Sequence, residues 1–312
     1  MLYSPAPMHI PDGFLSLTIS IICWGITILV DGIAISRTNK SLGERQVPLM
    51  GIMAAFIFAA QMINFPVAGG TSGHLLGGTL AAIALGPWAG MLVMTAVIAV
   101  QGLLFQDGGL LVMGANIFNM GLLTVAIGYG LYRSVLGQSR NTRLILAGVA
   151  AWLSVMTGAL ATSLELWLSG TARLDIVVPA MLTVHALIGL GEALITVAAL
   201  AFIFRPRPDL LGEQSASAKG GRGWILAGVL IALAVVGLSP LASADPDGLN
   251  RVAMDLGFIH TAQEGTGPLA GYTFPFLISG PAGKIVAGVI GVMAVVAVVL
   301  LVGRSLRKKN GA

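Results

Sequence analysis

Residues 285–303 read IVAGVIGVMAVVAVVLLVG, a run with no charge and no hydrogen-bonding side chain. As a helix rising 1.5 Å per residue it spans about 28 Å, close to the roughly 30 Å hydrocarbon thickness of a bilayer. Lipid offers no partner to a backbone N–H or C=O, so a run like this crosses as a helix or as part of a closed barrel. The apolar residues are continuous and do not alternate, which selects the helix. Comparable runs lie near 15–35, 47–65, 75–86, 88–106, 109–132, 143–168, 176–204 and 224–242, with the last near 282–303. The chain therefore reads as an all-α polytopic membrane protein of about nine spans. The third run is short and stops at Pro87; as a half-helix, or fused with the fourth, it reduces the count to eight. Composition agrees: 56% of residues are apolar and 10% charged, against about 25% charged in soluble domains.

The net charge of +4 is explained by placement. Arg37, Lys40 and Arg45 follow the first run, and Arg133, Arg140 and Arg143 separate the fifth from the sixth. Arg205, Arg207, Lys219 and Arg222 follow the seventh, and Arg304, Arg307, Lys308 and Lys309 close the chain. If nine helices alternate, these groups share one side, which the positive-inside rule makes cytoplasmic. The N-terminus then faces outward and the C-terminus inward, and the basic residues are topology signals, with no nucleic-acid partner. The opposite loops carry Asp12, Asp107, Asp175, Asp245, Asp247, Asp255 and Glu264, a side suited to collecting cations. The polar linker RPRPDLLGEQSASAKGGRG, 205–223, divides a seven-helix unit, 8–204, from a two-helix unit, 224–312. Within the second unit a loop of roughly 40 residues, 243–281, is too long for a plain turn. The single cysteine, Cys23, excludes an internal disulfide and a cysteine zinc site. No basic n-region or small-residue cleavage site precedes residue 15, so no cleaved signal peptide is expected.

Two stretches carry chemistry. NFPVAGGTSGHLLGG, 64–78, spaces Gly69, Gly73 and Gly77 four apart around His74. On a helix these glycines line one face; in a loop they permit positive φ and close approach. No G-x-x-x-x-G-K-[ST] occurs, so no P-loop nucleotide site is expected. The other stretch is SPAPMHIPDGFLS, 4–16, where His9 follows an internal methionine. If the chain starts at Met8, its amine, the His9 amide nitrogen and imidazole Nδ1 close fused chelate rings. Three nitrogens in a plane leave one corner open, which His74 fills, because both histidines fall at outer ends of their spans. Tetragonal nitrogen coordination selects Ni(II) or Cu(II), with Co(II) compatible, over Mg(II) or Zn(II). The ligands must lose protons, so uptake should weaken at acid pH. With Met1 as the start, the amine is seven residues away and the chelate cannot close; residues 1–7 are therefore expected to be absent from the mature chain.

The same residues resemble the CbiM/NikM family, substrate-capturing membrane components of energy-coupling-factor transporters for cobalt and nickel. The resemblance rests on MHIPDGFLS (8–16), PVAGGTSGHLLGGTLAAIALGPWAGMLVM (66–94), VQGLLFQDGGLLVMGANIFNMG (100–121) and HALIGLGEALIT (185–196). It implies metal ligands at Met8 (amine), His9 (amide and imidazole) and His74. PDGLNRVAMDLGF, 246–258, resembles the small NikN-type accessory subunit, here fused, and tilts the ion toward nickel. The resemblance further implies no catalytic activity, residence in the plasma membrane, and separate transmembrane coupling and ATPase subunits.

Other polar positions support both a site role and a structural one. Asn64 and Gln61 end the second run, where they could hold the glycine-rich turn or orient His74; helix capping explains them equally well. Asp12 is better read as capping the first helix. Asn116 and Asn119 lie within a span and could bridge helices. His185 and Glu192, seven apart on one helix face, suit an inter-helix hydrogen bond, with a proton relay or second metal site as the alternative. The methionines 50, 53, 62, 91, 94, 113 and 120 read as packing residues. His260 fits both metal collection and plain solvation. The rival functions are a metal-independent permease for a small organic solute and an intramembrane enzyme. The first wants an aromatic-lined pocket, yet only 6% of residues are aromatic; the second lacks H-E-x-x-H.

Overall fold

The structure, a computed structural model, describes residues 8–41, 46–204, 223–263, 267, 269–272 and 280–308. The expectation for residues 1–7, the linker at 205–222 and part of the 243–281 loop lie outside the described residues. Helices α1 (Leu17–Ser41) and α2 (Gln46–Gln61) lead to a hairpin of β1 (Phe65–Val67) and β2 (Thr71–Gly73). Then come α3 (Gly78–Leu85) and α4 (Pro87–Val100), which runs on into a π-turn at Gln101–Phe105. Helix α5 (Met113–Asn116) continues through a π-helical stretch at Ile117–Leu123 into α6 (Thr124–Tyr132). Long helices α7 (Arg140–Leu168) and α8 (Leu174–Ile203) complete the first unit; α9 (Gly223–Leu238), α10 (Gly248–Asp255) and α11 (Pro281–Lys308) form the second.

Among the described residues, six helical stretches are long and apolar enough to cross a membrane: Leu17–Asn39, Pro87–Phe105, Met113–Val135, Arg140–Leu168, Leu174–Ile203 and Pro281–Leu306. Gln46–Gln61 and Ile225–Leu241 are apolar but shorter. The run expected at 75–86 is a helix of only eight residues, α3, about 12 Å long and unable to cross alone. Its end is local chemistry. Gly86 takes φ 82 and ψ 165, a conformation open to glycine, and Pro87 then starts α4 at a position where its missing N–H costs nothing. Most of α3 is buried inside the bundle: Gly78, Thr79, Leu80, Ala81, Ala82, Ala84 and Leu85.

Loops from both units gather at one end of the bundle. Thr171 Oγ1 donates to Phe14 O (2.5 Å). Ser243 N donates to Asn64 O (2.8 Å) and Gln263 N to Asp12 O (2.9 Å). At the opposite end, Arg140 Nη2 donates to Ala201 O (3.0 Å) and Arg143 Nε to the Tyr132 hydroxyl (3.0 Å). Residues 74 and 107 are both at the first end, so α3 and α4 together leave it and return.

Helix α2 is the pivot between the units. Ten of its positions are buried, and α9 and α11 pack on it where glycines let backbones approach: Gly228 faces Ile52, Gly291 faces Phe58, and Gly303 faces Val47. Helix α1 is lipid-facing in character, with Leu17, Ile21, Ile28 and Leu29 exposed.

Candidate metal site

The segment after Met8 is held as though it were an extra strand. Ile10 N donates to Asn116 Oδ1 (3.0 Å), and Asn116 Nδ2 donates back to Ile10 O (3.0 Å). Gly109 N adds a bond to the same carbonyl (2.9 Å). Asn116 is thus a clamp on the backbone beside His9. Asp12 does not cap α1. Its carboxylate accepts from Leu110 N (3.0 Å) and Val112 N (3.1 Å), satisfying donors at the entrance to α5. The α1 entrance instead uses Ser16, whose Oγ accepts from Ile19 N (3.4 Å).

His74 follows β2 in a loop, and the three spaced glycines divide: Gly69 and Gly77 have positive φ, while Gly73 ends β2, where a Cβ would stand 2.7 Å from Ile188. The loop is anchored from behind. Both oxygens of the buried Glu192, on α8, accept backbone N–H bonds, from Leu76 (2.6 Å) and Gly77 (2.9 Å). Gln61 Nε2 donates to Leu76 O (2.7 Å). Gln61 therefore holds the loop, and Glu192 is an anchor where a relay had been an alternative. Asn64 contributes its backbone carbonyl to Ser243, tying the second unit and not His74.

His9 and His74 are brought together. They are 2% and 7% exposed, with ring centroids 5.6 Å apart and planes inclined at 57°. With metal–nitrogen bonds of about 2.0 Å, two imidazoles on one ion place their centroids about 4.5–6.5 Å apart, so this spacing admits a shared ion. His9 Nδ1 donates to Asp107 O (2.8 Å) and His74 Nδ1 to Leu75 O (3.0 Å); a carbonyl only accepts, so Nδ1 carries the hydrogen in both rings. His9 Nε2 is buried with no hydrogen-bond partner, and His74 Nε2 lies 3.4 Å from Met8 O. Burial, then the neighbouring His9, push the His74 imidazole below its usual range, toward the neutral form that ligates a metal. The nitrogen bonded to Asp107 is the one the sequence assigns to the chelate, so the chelate is not preformed. Among the described residues no three His, Cys, Asp or Glu side chains converge for a metal; further donors must come from backbone, terminus or water.

The rings open on a cavity of about 70 Å³ whose lining includes Met8, Asn116, Asn119, Thr162, His185 and Asp247. His185, bonded through Nδ1 to Met181 O (2.8 Å), belongs to this wall. Asn119 donates to Glu165 Oε2 (2.7 Å) and Thr162 Oγ1 (3.2 Å), bridging helices. Of the methionines weighed, Met120 reaches the cavity, while Met50, Met53, Met62, Met91 and Met94 are core. His260 is exposed in the 243–281 loop.

Two residues that the sequence marks only as members of an acidic side have specific places here. Asp107 accepts from Met8 N (2.7 Å) and from the Tyr272 hydroxyl (2.7 Å), while its carbonyl takes the His9 ring. The available signal was its setting, FQDGG, an acidic residue beside two glycines like the His74 loop. Asp247 forms a parallel bridge with Ser72, and Ser72 N donates to Pro246 O (2.8 Å). The second unit thus lies along the strand that leads into His74.

Residues 9–210 match the model of the cobalt uptake substrate-specific transmembrane region, CbiM. The chain belongs to the CbiM family. Residues 222–308 match the PDGLE domain. A relative from Archaeoglobus fulgidus, named for fused nickel transport (NikMN), is 38% identical over 93% of this chain and 96% of its own. The fused nickel transport protein NikMN of Rhodobacter capsulatus is 28% identical over 93% of this chain and 95% of its own. A crystal structure of a transition metal transporter superposes with a TM-score of 0.59 at 33% identity, covering 68% of this chain and 100% of that one. A truncated transition metal transporter gives 0.58 at 34% identity, covering 64% and 99%. This CbiM-family chain is a multi-pass membrane component of nickel or cobalt transport.

Proposed function

We propose that the chain captures Ni(II), with Co(II) as the alternative, as the substrate-binding component of an ATP-driven uptake system of the energy-coupling-factor type. Residues 8–204 form the capturing unit and 224–312 the fused accessory unit, joined by a cytoplasmic linker. The N-terminus and the site face outward; the C-terminus faces the cytoplasm, and ATP is hydrolysed on separate subunits joined through a transmembrane coupling protein. The observation that carries this reading is the facing pair of buried imidazoles, His9 and His74, 5.6 Å apart over a small cavity. The cavity, about 70 Å³, is far below the roughly 300 Å³ and more of organic-ligand pockets, which disfavours a solute permease. The fused relatives are named for nickel, and that favours nickel over cobalt.

On this reading the ion takes the residue-8 amine, the His9 amide and Nδ1, and the His74 ring. Loading then requires His9 to exchange its bond to the Asp107 carbonyl for the metal. A primary amine can ligate through its lone pair and still donate an N–H to Asp107, whereas a peptide nitrogen at residue 8 cannot do both. Purified His9→Ala and His74→Ala variants should each lose stoichiometric Ni(II) while keeping wild-type circular dichroism and elution. Retention of Ni(II) by both rejects the site. Intact mass of the mature protein should correspond to a chain beginning at Met8.

A further inference from the structure

Among the described residues, two non-glycine residues have positive φ: Gln106 (48°) and Tyr272 (57°). Such conformations persist where the surroundings over-determine them, and they mark candidate functional positions. These two come from units far apart in sequence, yet they flank one hydrogen bond, from the Tyr272 hydroxyl to Asp107 Oδ2 (2.7 Å). The backbone before Asp107 is unusual as well, with a π-turn over Gln101–Phe105. After it, Gly108 is forced: a Cβ there would stand 2.9 Å from His9 Cβ and 2.8 Å from Asn116 Nδ2. Tyr272 is 5% exposed, stacked on Phe105 at 4.7 Å and edge-on to Phe58 at 6.3 Å. A second strap joins the same segments, from Gly267 N to Gln106 Oε1 (2.5 Å). Burial, then the Asp107 charge, push the Tyr272 phenol well above its usual range, so the hydroxyl keeps the hydrogen it donates.

The other Asp107 oxygen holds residue 8 and its carbonyl holds the His9 ring. We propose that Tyr272, supplied by the fused unit, is a positioning residue of the metal site, acting through Asp107 to hold the residue-8 nitrogen where Ni(II) is bound. The inference rests on the capture site proposed above and assigns the fused unit a direct part in ion retention.

The test uses the purified mature protein, with both units intact, loaded with Ni(II). Tyr272→Phe keeps the ring and its stack and deletes only the hydroxyl. It should release Ni(II) to a competing chelator about 10–100-fold faster, the usual scale for outer partners of metal ligands, and shift the Ni(II) absorption bands. Asp107→Asn should change release and spectrum in the same direction. A Tyr272→Phe protein with wild-type release and spectrum overturns the proposal. If Tyr272→Phe also melts earlier, Phe105→Leu decides, because it loosens the same packing and keeps the hydroxyl: an equal effect on Ni(II) overturns the proposal, a smaller one upholds it. Ni(II) retained by His9→Ala and His74→Ala rejects the site itself; Ni(II) lost there but unaffected by Tyr272→Phe rejects only the role of Tyr272.

Discussion

At the scale of single residues, the proposed site rests on groups outside its ligand set. Glu192 is fully buried and accepts two backbone N–H bonds from the loop that carries His74. Glu192→Gln keeps one accepting oxygen and turns an NH2 toward the other donor, so one buried N–H loses its partner at a cost of about 1–3 kcal/mol. The expected outcome is a lower unfolding midpoint together with Ni(II) affinity reduced about tenfold or more, read by denaturant titration and calorimetry. Asn116→Ala strips both bonds from Ile10 and should weaken Ni(II) binding in the same assay; Asn116→Asp keeps the acceptor for Ile10 N but turns a carboxylate oxygen toward the Ile10 carbonyl, and should weaken binding as well. His9 and His74 were legible in the sequence because imidazoles are rare in this chain and each sits at the end of an apolar run. Asp107 was not. Its partners lie 99 and 165 positions away, and a carboxylate in a polar loop carries no local mark of such contacts. Glu192 was visible as an intramembrane charge, but its partners are backbone N–H groups, which no sequence pattern announces.

At the scale of elements, the long apolar runs were legible because crossing a bilayer is a constraint on length and composition alone. The third run failed that test through Gly86 and Pro87, which are local signals. What it became depends on packing. Helix α3 is wedged between two neighbours. On one side Gly90 brings α4 so close that a Cβ there would stand 3.1 Å from the Ala81 carbonyl carbon. On the other, a Cβ on Gly128 of α6 would stand 2.8 Å from Thr79 Cα. Both obstacles are backbone, so neither neighbour yields by rotating a side chain. Gly90→Ala and Gly128→Ala should each destabilise the protein by about 1–3 kcal/mol. The double variant should depart from additivity because both push on one rigid helix. Gly130, in the same helix as Gly128 but with nothing near its missing Cβ, is the control; Gly130→Ala should not lower the unfolding midpoint. Thermal unfolding in detergent separates the cases. Wedging of this kind fixes where α3 begins, and α3 begins four residues after His74.

At the scale of the molecule, two units joined by a linker meet along two surfaces of different character. In the membrane region α9 and α11 pack on α2 through glycines, as at Gly291, where a Cβ would run into the Phe58 ring and stand 3.0 Å from Phe105. Outside it, the second unit reaches the His74 strand through Pro246 and Asp247, the His9 segment through Gln263, and Asp107 through Tyr272. The helix packing is extensive and apolar, so it should hold the units together without the linker. A protein cleaved within 205–222 should elute as one complex in detergent and keep its Ni(II). Gly291→Val attacks the helix surface alone. Cleaved Gly291→Val protein should therefore separate into two fragments. Elution of the cleaved variant as an intact complex would show that the 243–281 loop, and not the packing on α2, carries the association.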